Sequence, residues 1–318
     1  MRIAVITPAF NAAAYIADAI QSVIVQTHQD WQLVVVDDGS SDATAAIAQS
    51  FTDPRVKLIR QANSGVSAAR NAGAAVDADA YLFLDADDWL ACDALQRLAS
   101  LLSATPPAVA AVGSYVRVPG HASPVHPRAG ARMLARLLVR NCFVNGGHVL
   151  VRGRALRAAG PFRQKLRYGE DWEFWVRLAL LGPFACDRDA NPVLHVRSCA
   201  AGAYRQHAAD PVSAKPCLEA IFGNPALAER FSPDRLARLR RRAEAEHQWV
   251  AGRELVRQGS RTHGLPWLMR SVAAAPSARR LALLGVACAG SLVPTDWRGP
   301  FAPYAPQPEV LADTRLNV

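Results

Sequence analysis

Three carboxylates in the segment Asp85-Ala86-Asp87-Asp88 are the residues of this chain best able to do chemistry. They follow directly on Tyr81 to Leu84, an apolar run with the length of a buried strand. Carboxylates crowded at a strand end repel one another unless a cation or hydrogen-bond donors relieve them. A hard divalent ion, Mn2+ or Mg2+, suits the group, because it takes one or two protein carboxylates and fills its shell with diphosphate oxygens and water. A helix-capping role accounts for Asp88 but poorly for Asp85 and Asp87. A second acidic group, Asp37-Asp38-Gly39-Ser40, closes the apolar run Leu33 to Val36. There a carboxylate can accept a hydrogen bond from a nucleobase N–H, and the glycine lets a ligand come close to the backbone; alone, the same residues make an ordinary turn. A third, Gly169-Glu170-Asp171-Trp172, opens a helical stretch that ends at Gly182-Pro183, and the helix macrodipole also favours acidic residues there.

The elements that must position these groups alternate. Ile3 to Thr7, Leu33 to Val36, Val56 to Ile59 and Tyr81 to Leu84 read as strands. Between them, Ile16, Ala19, Ile20, Val23 and Ile24 have helical spacing, a second helix starts near Ser41 or Asp42, and a third covers about Val66 to Val76. This pattern predicts a parallel α/β sheet with ligands beyond its strand C-termini. Further on, Ala108 to Val118 and Val149 to Arg152 read as strands, and two or three helices follow from about residue 234.

Thr7-Pro8-Ala9-Phe10-Asn11, Asp37-Asp38-Gly39-Ser40, Asn63-Ser64-Gly65-Val66-Ser67-Ala68-Ala69-Arg70-Asn71 and the acidic cluster fall on four successive strand ends. In that order they resemble the inverting glycosyltransferase family 2, closely over residues 1 to about 90 and loosely to about 210. The resemblance implies an α/β GT-A fold, a Rossmann-like mixed sheet flanked by helices. It implies that Pro8, Ala9, Phe10, Asp37, Asp38, Asn63, Arg70, Asp85 and Ala86 bind the donor, with Asp38 at the nucleobase and Arg70 near the nucleotide or its phosphates. Asp85, Asp87 and the adjacent Asp88 match the family's metal-binding motif. Asp171 matches its base, with Glu170 orienting the acceptor. Tyr204-Arg205-Gln206-His207 is similar to a segment that closes over the diphosphate, which would give Arg205 the leaving group and His207 the metal; a loop histidine with no such task fits equally well.

The function so implied is transfer of a sugar from a nucleotide-diphosphate donor, UDP-linked as is common in the family with thymidine- or guanosine-linked donors left open, to a hydroxyl of a saccharide or lipid-linked acceptor. Cell-surface polysaccharide, lipopolysaccharide or glycoconjugate synthesis would use it. No QxxRW-type segment follows the Glu-Asp motif and no membrane helices follow, which argues for a non-processive enzyme. A sugar nucleotidyltransferase would show a glycine-rich phosphate loop where Thr7-Pro8-Ala9 stands, and a dehydrogenase would show GxGxxG. Against a non-catalytic sugar-nucleotide-binding protein stands the full set of carboxylates.

The length of 318 residues suits a catalytic domain over 1–215, with a nucleotide-binding half to about 105 and an acceptor-binding half after it, followed by a basic helical region over 216–318. Six irregularly spaced cysteines fit neither a disulfide framework nor a zinc site. With no signal-like start, and with Leu281 to Val293 short of the ~20 apolar residues of a spanning helix, a cytoplasmic location is expected. The formal charge is +9, and between Glu229 and Arg280 twelve arginines face five acidic residues. That excess suits either a solvated helix face or peripheral contact with an anionic membrane; no nucleic-acid partner is expected.

Overall fold

Runs of Ile, Val and Leu build the centre of the molecule in a computed structural model that describes residues 1–118, 133–189, 191–198, 208–289 and 299–301. Strands β1 (Ile3–Ala9), β2 (Trp31–Asp37), β3 (Val56–Arg60) and β4 (Ala80–Phe83) alternate with helices α1 (Ile16–Ile24), α2 (Thr44–Gln49) and α3 (Val66–Gly73). Then come β5 (Trp89–Leu90), α4 (Ala94–Ala104), β6 (Ala110–Val112), β7 (Tyr115–Val118), α5 (Met133–Leu137), β8 (Val149–Arg152), α6 (Gly153–Ala159), α7 (Glu170–Leu181), β9 (Phe184–Cys186) and β10 (Leu194–Arg197). The described helices that remain are α8 (Lys215–Phe222), α9 (Pro233–Arg257), α10 (Arg261–Ala274) and α11 (Ala278–Ala289).

Seven strands form a mixed sheet in the order β3-β2-β1-β4-β8-β6-β9. β1 runs parallel to β2 and β4, while β8 runs antiparallel to β4 and β6. β1, β2 and β4 are buried almost throughout, as strands covered on both faces must be. Ile3 and Val5 join Leu33 and Val35 in one core with Ile16, Ile20 and Val23 of α1 and Leu95 and Leu98 of α4. Ile6 and Val36, each one position further on, point the other way, against α3 at Gly73. Between β1 and β4 the order of connections reverses, the place at which open α/β sheets bind ligands.

The stretch from Ala108 to Val118 is two strands rather than the single one the sequence suggests. β6 pairs with β8 and β9, and β7 joins a small sheet of order β5-β10-β7. The break falls at Gly113, whose N–H donates to the carbonyl of His148 at 2.9 Å. The pairing with β8 ends with Val112 opposite Val149, so the chain turns to find new partners on β10.

By its contacts the chain divides into two units, residues 1–198 with 216–236 and residues 199–215 with 237–318. The first holds both sheets. The second has a core of its own around Trp249, Leu268, Ala287 and Phe301. Ser271 Oγ donates to the carbonyl of Ala245 at 2.6 Å there, and Arg280 pairs with Glu246 while lying over Trp249. Among the described residues no helix is long and apolar enough to cross a membrane.

Candidate active site

The ends of β1 and β2 are stitched together. Asn11, in the left-handed region at φ 49°, accepts from the Ser41 N–H at 2.9 Å, and its own N–H donates to Ser40 Oγ at 3.0 Å. Asparagine tolerates that conformation better than most residues. Phe10 is left 53% exposed beside half-buried Pro8 and buried Ala9. Asp38 is buried, and its carboxylate accepts from Gln61 Nε2 at 2.7 Å and from the N–H groups of Ser64 and Gly65 at 2.9 and 2.8 Å. Asp38 therefore organises the loop that carries exposed Asn63. In Asp37, one oxygen accepts from the Ser40 N–H at 3.1 Å; the other has no hydrogen bond and faces the exposed Arg60 guanidinium at 3.5 Å.

Past β4 the chain makes a turn, closed by the Asp88 N–H donating to the Asp85 carbonyl at 3.1 Å, and exposure alternates along it. Asp85 and Asp87 are half-buried, while Ala86 and Asp88 point inward. Asp88 accepts from Asn145 Nδ2 at 2.5 Å and from the Arg197 N–H at 2.8 Å. Burial, and then the charges of Asp85 and Asp87, push its carboxyl up to about 8. Arg197 also donates to the Asp87 carbonyl at 3.1 Å, between the rings of Tyr15 and Trp89. Among the described residues no group of three or more His, Cys, Asp or Glu side chains is placed to hold a metal ion. The outward pair Asp85 and Asp87 fits a different kind of site, in which one or two carboxylates share a hard cation with substrate oxygens. The repulsion felt by Asp88 shows the negative charge that such a cation would relieve.

The third acidic motif comes from far along the chain and meets the first. Gly169, at φ 76°, ends a turn from which α7 starts with Glu170 and Asp171. Arg70 of α3, 5% exposed, reaches both regions: it donates to Glu170 Oε1 at 2.9 Å and to Asp85 Oδ1 at 3.0 Å. Burial alone would lower its guanidinium, but Asp85, Glu170 and Asp171 outweigh that and raise it. Asp171 accepts from Asn141 Nδ2 at 2.9 Å and from the Trp172 N–H at 2.6 Å. Burial and then Glu170 push its carboxyl up to about 6, opposed by Arg70 and the Asn141 bond.

An aromatic cluster holds α7 in place. Phe83 meets Phe162 edge-on at 4.9 Å, and Phe162 stacks on Phe174 at 4.3 Å. Asn71, next to Arg70, exchanges two hydrogen bonds with the backbone of Phe162, at 2.9 and 2.8 Å. Buried Glu173 pairs with Arg163 and Arg177, both at 2.9 Å, and Arg177 also donates to the carbonyls of Ala159, Gly160 and Pro161.

The structure thus brings Asp85, Glu170 and Asp171 around one guanidinium, that of Arg70. Arg205 and His207 lie outside the described residues. Three residues that the sequence did not single out, Asn141, Asn145 and Arg197, hold the acidic side chains. The pair Asn145-Gly146 was the available signal, since a Cβ at Gly146 would stand 2.7 Å from the carbonyl oxygen of Phe83.

Residues 4–160 match the model of glycosyl transferase family 2. Over 74 residues the chain is 43% identical to the glycosyltransferase GlyA of Streptococcus pneumoniae, an alignment that covers 23% of this chain and 11% of that protein. Solved structures share the fold, two of them as follows. TarS of S. aureus in complex with UDP-GlcNAc superposes with a TM-score of 0.58 at 18% identity, over 95% of this chain and 90% of that one. A mannosyltransferase from Pyrobaculum calidifontis in complex with GDP-Man and Mn2+ gives 0.56 at 19% identity, over 95% and 84%. The mixed sheet is that of the GT-A glycosyltransferases.

Proposed function

Residues 4–160 belong to glycosyl transferase family 2, and from that premise we propose that the chain is an inverting, non-processive glycosyltransferase with Asp171 as its general base. The observation that carries the proposal is the Arg70 bridge, which gathers the acidic end of β4 and the start of α7 at one place. A carboxylate with a pKa of about 6 is mostly ionised at neutral pH and still basic enough to take a proton in a transition state. In this reading Asp171 accepts the proton of the acceptor hydroxyl as its oxygen attacks the anomeric carbon. The bond to the diphosphate oxygen breaks on the opposite face, and the configuration inverts. Arg70 offsets the charge of Glu170, which would otherwise hold Asp171 protonated.

Asp85 and Asp87 are the residues that would hold Mn2+ or Mg2+; when bound, the ion supplies charge neutralisation to the departing diphosphate. Asp88 is assigned a supporting place, because its oxygens are engaged by Asn145 and Arg197. Asp38, with Asp37 beside it, is assigned to the nucleobase N–H, and exposed Phe10 offers a ring for the base to stack on. A UDP-sugar donor is favoured, in keeping with the UDP-GlcNAc complex of TarS. The acceptor is a hydroxyl of a saccharide or lipid-linked saccharide. Contact with an anionic membrane would be made by Arg235, Arg238, Arg241 and Arg242, all exposed on α9.

The test is a thermal-shift screen of nucleotide sugars with and without Mn2+. One UDP-sugar should raise the Tm, part of that rise should need the metal, and Asp87→Ala should abolish the metal-dependent part. A chain stabilised by no nucleotide sugar at millimolar concentration would not be the enzyme described.

A further inference from the structure

Between α5 and β8 one loop touches both acidic motifs. Asn141 donates from Nδ2 to Asp171 Oδ2 at 2.9 Å, and its Oδ1 accepts from the Phe143 N–H at 3.1 Å. Four residues later the device repeats: Asn145 donates to Asp88 Oδ2 at 2.5 Å, and its Oδ1 accepts from the Gly147 N–H at 2.9 Å. In both, a backbone N–H two residues on holds the amide oxygen, so the NH2 group is the end that faces the carboxylate. A carboxamide at neutral pH neither accepts a proton from an alcohol nor attacks carbon. What it can do is orient a carboxylate and favour its charged form, since a hydrogen bond donated to the ion stabilises the ion over the acid.

We propose that Asn141 is a positioning residue for the base, fixing the direction of the Asp171 carboxylate and keeping it ionised at neutral pH. The proposal rests on the assignment of Asp171 as the base. Other groups facing Asp171 are Glu170 on α7 itself, the Arg70 guanidinium from α3 and the buried Cys217 thiol from α8. Glu170 opposes the charge and Arg70 supports it. Arg70 is hydrogen-bonded to Asp85 and Glu170, whereas Asn141 is bonded to Asp171 directly. Packing supports a fixed geometry: Phe143, two residues on, meets the Trp175 ring of α7 edge-on at 5.5 Å.

The test compares wild type, Asn141→Ala and Asn141→Asp. The alanine variant removes the donor without adding charge and is the one that decides; the aspartate variant keeps the shape of the side chain and an oxygen for the Phe143 N–H but adds a carboxylate beside Asp171, so its midpoint should move further up than that of Asn141→Ala. Two readouts are taken on each: the pH profile of kcat/KM, and the 13C carboxyl titration of Asp171, assigned by its absence in Asp171→Asn. In both variants the acid limb and the carboxyl titration should move up together by about one pH unit or more. At pH 7 the lost ionisation should lower kcat about twofold for a shift of one unit and about tenfold for a shift of two, with donor KM within about twofold of wild type. A merely structural asparagine would lower the Tm and leave both midpoints in place, and unchanged midpoints in folded Asn141→Ala would overturn the proposal. Normal turnover in Asp171→Asn would overturn the base assignment and with it the catalytic part of this role. The carboxyl titration reads the Asn141 contact without activity, so the two failures are distinguishable.

Discussion

At the scale of single residues, Asp171 is a carboxylate whose surroundings are at odds. Burial and Glu170 favour the acid; Arg70, Asn141 and the Trp172 N–H favour the ion. The balance near 6 sets the expected pH dependence. A base works only when deprotonated, so kcat/KM should rise with pH through about 6 and level off above it, as steady-state kinetics between pH 5 and 8 would show. Asp171→Asn should lower kcat by about 10²–10⁴-fold while leaving donor affinity near wild type, and that acid limb should vanish with it. Near-normal turnover in this variant would remove the base from the proposal. The same shift bears on stability with the opposite sense. Folding raises this carboxyl from 3.8 to about 6, so the folded chain holds a proton the unfolded chain has lost, and stability declines as pH rises through that window. Arg70 is the other decisive residue: it is almost fully buried between two carboxylates, and deleting its charge would leave them facing one another uncompensated.

At the scale of elements, the start of α7 places the base. The turn before it needs a residue in the left-handed region, and Gly169 stands there at φ 76°. Its Cα also lies against α8, where a Cβ would come within 2.7 Å of Cys217 Sγ, and that thiol donates to the Gly169 carbonyl at 3.1 Å. Gly169→Ala should therefore cost about 1–2 kcal/mol from the backbone alone, and more from the contact with Cys217. Urea denaturation would measure it, and kcat should drop with it as the first turn of α7 shifts; an alanine variant with unchanged stability and rate would show that this turn does not set the base. β1, β2, β4 and α7 were legible in sequence, because burial on both faces leaves continuous apolar runs and a Gly-Pro stop is local chemistry. The split of β6 from β7 was not, because pairing partners eighty residues further on decide it.

At the scale of the whole molecule, charge is the feature most open to test. Arg235, Arg238, Arg241 and Arg242 fall within one arc of α9 at helical spacing, and all are exposed. Full-length protein should co-sediment with vesicles containing anionic lipid, less so as salt is raised, because exposed charges are screened over ~8 Å at physiological ionic strength. Replacing the four arginines with glutamate should abolish that binding without changing turnover of a soluble acceptor. Equal sedimentation of both proteins would dispose of a membrane role for this helix.

The amino-acid order alone determined that strands and helices alternate, that acidic turns stand at strand ends, and that a Glu-Asp pair opens a later helix. These are properties of neighbours in the chain, set by periodicity and by what a turn or a helix start requires. Only the tertiary structure decided which charges meet. Which carboxylates Arg70 would reach, whether Asp88 would point out or in, and which asparagines would reach the acidic groups all depend on contacts between residues up to a hundred positions apart. A sequence fixes which side chains are available; the pairing of buried charges and donors is fixed by the requirement that each find a partner once water is excluded.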